Sequence, residues 1–82
     1  MIIVERVLSV GMSGDDVRTL HEQLELLHFF VPPGERAFRF FGPVTRKAVM
    51  EVQRERLHPS RVNGLVDQAT ANIIREEARW GP

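Results

Sequence analysis

The sequence predicts an all-α fold, a small three-helix bundle with an internal pseudo-repeat and a long loop between helices 1 and 2. Three observations predict it. Phe41-Gly42-Pro43-Val44-Thr45 is answered 25 residues later by Val66-Asp67-Gln68-Ala69-Thr70. In each phrase an apolar residue precedes a turn or cap residue, and a Thr follows three residues after that cap. Each phrase also opens a segment with helical apolar spacing. The segments between are Pro- and Gly-bearing loops, and none gives a convincing strand.

The first helix is expected to start at about Gly14. Ser13 can accept from first-turn N–H groups, Asp16 adds negative charge at the positive end of the dipole, and Met12 and Val17 have the spacing of a hydrophobic staple. Val17, Leu20, Leu24 and Leu27 recur at steps of three and four, and Leu26, Phe29 and Phe30 widen the stripe. Pro32-Pro33-Gly34 stops this helix and bars its resumption, leaving a loop from Glu35 to Phe40 that is dense in Phe. Pro43 suits the first turn of the second helix, whose inward face is Val44, Ala48, Val49 and Val52 and whose wet face carries Arg46, Lys47, Glu51, Arg54 and Glu55. His58-Pro59 closes it. Asn63-Gly64 makes a turn, and Asp67 caps a third helix with Ala69, Ile73, Ile74 and Ala78 inward.

The 82 residues make one domain with a core of about 7–78, of a size that buries only about 60% of its unfolded surface. That leaves little room for a deep, water-excluding active site. The 11 basic and 11 acidic residues cancel, so the chain lacks the electrostatic footprint of a nucleic-acid binder and the excess positive charge that holds proteins to anionic membranes. With no Cys there is no disulfide framework, thiolate metal site or Cys nucleophile. No apolar run reaches the ~18 residues of a membrane span. Glu5 and Arg6 interrupt the apolar stretch at the start, so it is not a signal-peptide core. Arg79-Trp80-Gly81-Pro82 reads as the start of a linker, as in a domain excised from a larger protein.

Three blocks in register now carry a family likeness: Leu8, Gly11 and Gly14-Asp15-Asp16-Val17 with Leu20 and Leu24; then Phe41-Gly42-Pro43, Thr45, Ala48-Val49 and Val52-Gln53; then Asn63-Gly64-Leu65-Val66-Asp67 and Thr70. From about Val7 to Ile74 the chain resembles the peptidoglycan-binding-like domain family of bacterial cell-wall proteins. The resemblance implies a small three-helix bundle with a pseudo-repeat, non-catalytic attachment to the wall and an extracytoplasmic or wall-associated location. The chain departs from the pattern at Leu20-His21, at Val52-Gln53, at Asn63-Gly64 and, most consequentially, at Phe38-Arg39. There a cation and aromatics replace an Asp-Gly pair in the loop that borders the ligand groove.

Seven residues are candidates for ligand binding. In the aromatic loop, Arg36 or Arg39 would meet a carboxylate and an exposed Phe38 or Phe40 would stack on sugar; Phe38 and Phe40 cannot both point inward from an extended loop, and the alternative is that both fold over the core as a lid. Phe41 matches the family's core Phe. His21 reads as a ligand hydrogen-bonder or as a partly buried side chain packed on a neighbour. Thr45 either lines the groove or bonds into its own first turn, and Gln53 either lines it or fixes loop backbone. His21 and His28 are about 10 Å apart along one helix, too far to chelate one metal. Glu51 and Glu55 lie on a charged face beside Arg54 and Lys47, which reads as a salt-bridged surface and not a glycosidase pair.

The expectation is a monomeric, non-catalytic module, without metal or cofactor, that binds peptidoglycan glycan or stem peptide and tethers a covalently linked domain. The alternative is a structural or protein–protein interaction domain of the same fold within a larger secreted or injected assembly. A DNA-binding reading fails on the third helix, which carries Glu76 and Glu77 and few basic residues. An enzyme reading fails for want of a catalytic set.

Overall fold

Helix α1 (Asp15–Leu26) is followed by a short α2 (Pro33–Ala37), then α3 (Pro43–Arg56), a 3-10 turn (Pro59–Arg61) and α4 (Gln68–Trp80). The structure is a computed structural model and describes residues 6–80. The all-α expectation holds. α4 packs on both α1 and α3, and the core between them is Leu8, Val17, Leu20, Leu24, Val31, Phe41, Ala48, Val49, Val52, Val66 and Ile74. Phe41 is fully buried. Burying a side chain of that size contributes about 1.5–3 kcal/mol, so the residue that opens the first of the two similar phrases is also the largest anchor of the core.

Two short backbone bridges tie the loops to this core. Leu8 and Val66 exchange N–H···O bonds of 3.1 and 2.9 Å. Met12 and Phe41 are joined by a bond of 2.8 Å from the Phe41 N–H, and Gly14 donates to the Arg39 carbonyl at 3.1 Å. The aromatic loop is therefore fastened along its length to the segment that enters α1.

Several local expectations are corrected. The proline pair does not bar helix resumption: Pro33 occupies the first position of α2, where a missing N–H costs nothing and a fixed φ helps. Ser13 does not cap α1. The cap position is Gly14 at φ 144°, with no side-chain bond to the first turn, and Asp16 instead faces Arg6 at 2.8 Å. Leu26 and Phe30 point to solvent, so of the three residues expected to widen the apolar stripe only Phe29 packs on the core.

At the starts of α3 and α4, Val44 and Ala69 are exposed while Thr45 and Thr70 are buried. The polar residue wins the inward position in both helices because its hydroxyl finds a buried partner there. α4 runs through Arg79 and Trp80, so those two residues are helical and not linker; Gly81 and Pro82 lie outside the described residues, as do Met1–Glu5.

Candidate functional site

The polar interior is built around the N-terminus of α3. A helix leaves its first N–H groups without internal partners. In α3, Pro43 has none to leave, and the Glu35 carboxylate takes the other three: Gly42 N–H at 3.1 Å, Val44 N–H at 3.1 Å and Thr45 N–H at 2.9 Å. It also accepts from the Thr45 hydroxyl at 2.6 Å. α2 exists to deliver this side chain, since one helical turn from Pro33 brings Glu35 over the start of α3. Burial alone would push the Glu35 carboxyl up; the bonds from Thr45, Val44 and Gly42 outweigh it and hold the group below the ordinary carboxylate range. The positive end of the α3 dipole favours the same charge. A Cβ on Gly42 would lie 2.4 Å from the Glu35 carboxyl carbon, so only glycine leaves space for the cap.

His21 completes the cluster. Its Nε2 is 2.9 Å from Thr45 Oγ1. The single hydroxyl proton of Thr45 goes to the carboxylate, which can only accept, so the ring must donate from Nε2. Its Nδ1 is then a buried lone pair with no hydrogen-bond partner. Burial first, and the Arg36 charge second, lower the ring's pKa against the opposing pull of Glu35, the Phe40 carbonyl and Glu25. The neutral ring is the form that suits the site.

A second polar centre lies at the start of α4. Asp67 Oδ1 accepts from the Thr70 N–H at 2.9 Å, the cap expected from the sequence. Gln53 on α3 reaches across: its two amide N–H groups are shared among Asn63 Oδ1, the Leu65 carbonyl and Thr70 Oγ1, and its oxygen accepts from the Asn63 and Gly64 N–H groups. One side chain thus holds the whole Asn63–Leu65 turn, in which Gly64 sits at φ 75°.

The seven candidate residues separate into two sets. His21, Thr45 and Gln53 are buried and bonded to the protein itself; Gln53 holds the Asn63–Leu65 turn from beneath, while Thr45 and His21 stand under the Glu35 cap of α3. Arg36, Phe38, Arg39 and Phe40 lie on the outside. Phe38 is 76% exposed and Phe40 36%, so the two do not close over the core as a lid. Arg39 adopts φ 51°, a left-handed conformation that is costly for a non-glycine residue, between these two rings. Both cations are paired with α1: Arg39 with Asp15 at 2.5 Å, and Arg36 with Glu25 at 3.1 Å and Glu22 at 3.9 Å.

Two features escaped the sequence. Glu35 stood unremarked in a loop, although Pro at the first helical position followed by an acidic first turn is a helix-start signature. The other is an open groove of about 290 Å³ between the end of α1 and the first half of α3, lined by Phe29, Phe30, Val44, Lys47, Ala48 and Glu51. Each helix alone shows only one wall of it.

The cluster around Glu35 has no group poised for catalysis: its carboxylate is saturated by donors and its imidazole is sealed from solvent. Among the described residues, the surface carries an aromatic, ion-paired loop and an apolar groove. No curated protein and no solved structure gives a significant match to the chain. The profile of the family described as "Putative peptidoglycan binding domain" matches residues 13–74, from the entry to α1 through the core Ile74 of α4, and the chain belongs to that family.

Proposed function

We propose that the chain is a non-catalytic module that binds peptidoglycan in an extracytoplasmic setting and tethers an attached protein to the wall. The family match over residues 13–74 carries this reading. Binding is an equilibrium at a shallow surface, and tethering raises the local concentration of substrate for whatever is fused to the module. On the aromatic loop, Phe38 and Phe40 offer ring faces for sugar, and Arg36 and Arg39 sit beside them as cations shared with α1. His21, Thr45 and Gln53 act from below, Gln53 by holding the Asn63–Leu65 turn and Thr45 with His21 by supporting the Glu35 cap at the start of α3.

The test is co-sedimentation of the folded chain with purified, protein-free sacculi, alongside Phe38→Ala, Phe40→Ala and Arg39→Ala. Saturable sedimentation, weakened in the variants, supports the reading and the loop. Absence of sedimentation by folded protein overturns it.

A second reading is an interaction domain of the same fold inside a larger assembly. Exposure of Phe30 at 72% and Phe38 at 76% favours it, because large exposed aromatics are characteristic of protein contacts. A folded chain that ignores sacculi and binds its attached neighbour domains would establish that reading instead.

A further inference from the structure

We propose that the groove between the end of α1 and α3 takes the methyl-rich stem peptide of peptidoglycan, with a free peptide carboxylate held by Lys47; this rests on the wall-binding reading above. The groove is lined by Phe29, Phe30, Val44 and Ala48, with Lys47 and Glu51 as its charged members. None of the seven residues considered from the sequence lines it. Its shape follows from the end of α1. His28 sits at φ 71°, the Phe29 N–H returns to the Leu24 carbonyl at 3.0 Å and the His28 N–H to the Glu25 carbonyl at 2.9 Å, a Schellman closure. The chain leaves the helix abruptly there, so Phe29 packs on the core while Phe30 stands free as a wall.

Charge selects the occupant. Glu51 is already engaged by Arg54 at 2.5 Å, whereas Lys47 makes none of the protein's ion pairs or hydrogen bonds among the described residues. The uncompensated charge at the groove is therefore one cation, complementary to one anion. Apolar character selects it further. A glycan brings many hydroxyls that need partners when they leave water, and the groove floor offers valine, alanine and two phenylalanine rings. A short peptide with alanine methyls and a carboxylate matches both features. Phe30 supplies a face for the methyls, and Lys47 supplies the charge-assisted bond.

The experiment uses the whole chain, labelled with ¹⁵N, and two soluble probes: a synthetic stem tetrapeptide ending in a free carboxylate, and glycan strands stripped of peptide. The peptide should shift amide signals of Phe29, Phe30, Lys47 and Ala48. Lys47→Gln and amidation of the peptide's terminal carboxylate should each weaken binding about fivefold, and together by no more than either alone. Phe30→Ser should weaken it about tenfold. Stripped glycan should leave the groove signals unmoved. Stem-peptide binding unchanged in Lys47→Gln and Phe30→Ser, or peptide-induced shifts confined to the Phe38–Phe40 loop, would overturn the groove assignment while leaving wall binding intact. Self-association through the groove, seen as a dimer at binding concentrations and lost in Phe30→Ser, would also overturn it. Loss of both peptide and sacculus binding by folded wild-type protein would remove the wall-binding reading together with the inference.

Discussion

The N-termini of α3 and α4 open on similar phrases and are stabilised by different means. α4 is capped locally: Asp67 stands immediately before Gln68 and bonds the Thr70 N–H three residues on. α3 has glycine at the same position and no cap of its own. Its donors are served by Glu35, which reaches them from a separate short helix. Behind each buried Thr stands a second polar side chain, His21 on α1 for Thr45 and Gln53 on α3 for Thr70. One centre is thus ionic and titratable around Glu35 and His21, while the other relies on a neutral amide at its heart. A local cap needs only a turn of chain to form; a remote one forms only when α2 has docked.

That difference sets an order of effects. Glu35→Gln should destabilise most, by about 3 kcal/mol, because four bonds to a buried charge are replaced by an amide whose own donors face the N–H groups of α3. Urea denaturation measures it, and a loss no greater than that of Asp67→Ala would refute the contrast.

The same residue should make the fold acid-sensitive. The folded carboxyl titrates below its ordinary value of 4.5, so its contribution is fully present above that value and is lost as pH falls through the lower folded one. His21 works in the same direction: below its ordinary 6.5 the unfolded chain takes up a proton that the buried ring resists. The urea midpoint should therefore fall on acidification from pH 7. Glu35→Gln should flatten the part below pH 4.5 relative to wild type, with the exposed Asp16–Arg6 pair contributing equally to both proteins.

Gln53→Ala should cost about 2 kcal/mol, since it orphans the N–H groups of Asn63 and Gly64, and it should do so without changing the acid limb. Asp67→Ala should cost about 1 kcal/mol, the usual value of one N-cap. Should the Gln53 variant prove acid-sensitive beyond wild type, the division into a titratable and a neutral centre would not hold.

Legibility in the sequence followed the same division. Val17, Leu20, Leu24, Val49, Val52 and Ile74 were readable because periodicity is a property of one helix and its burial. Asp67 was readable because a cap and its target lie three residues apart. Glu35 and Thr45 are ten residues apart and His21 and Thr45 twenty-four, and no local pattern links them. Spacing therefore suggested Val44 and Ala69 as inward residues, whereas distant partners drew Thr45 and Thr70 in. Gln53 was legible as a residue that fixes loop backbone, but its partners Asn63, Gly64, Leu65 and Thr70 were not. The groove stayed hidden because Phe30 reads as core and Lys47 as solvated face until two helices are set side by side.

The close approach of Gly42 to Glu35 makes these two letters of the sequence a single unit of inheritance. A variant library that randomises position 42 alone should return almost nothing but glycine, because any side chain evicts the carboxylate. A library that randomises positions 35 and 42 together should open a second family of solutions, in which position 35 is no longer acidic and a serine or aspartate at position 42 caps α3 as Asp67 caps α4. Among natural relatives the same rule reads as a forecast: a larger residue at the position of Gly42 should be accompanied by loss of the acid at the position of Glu35.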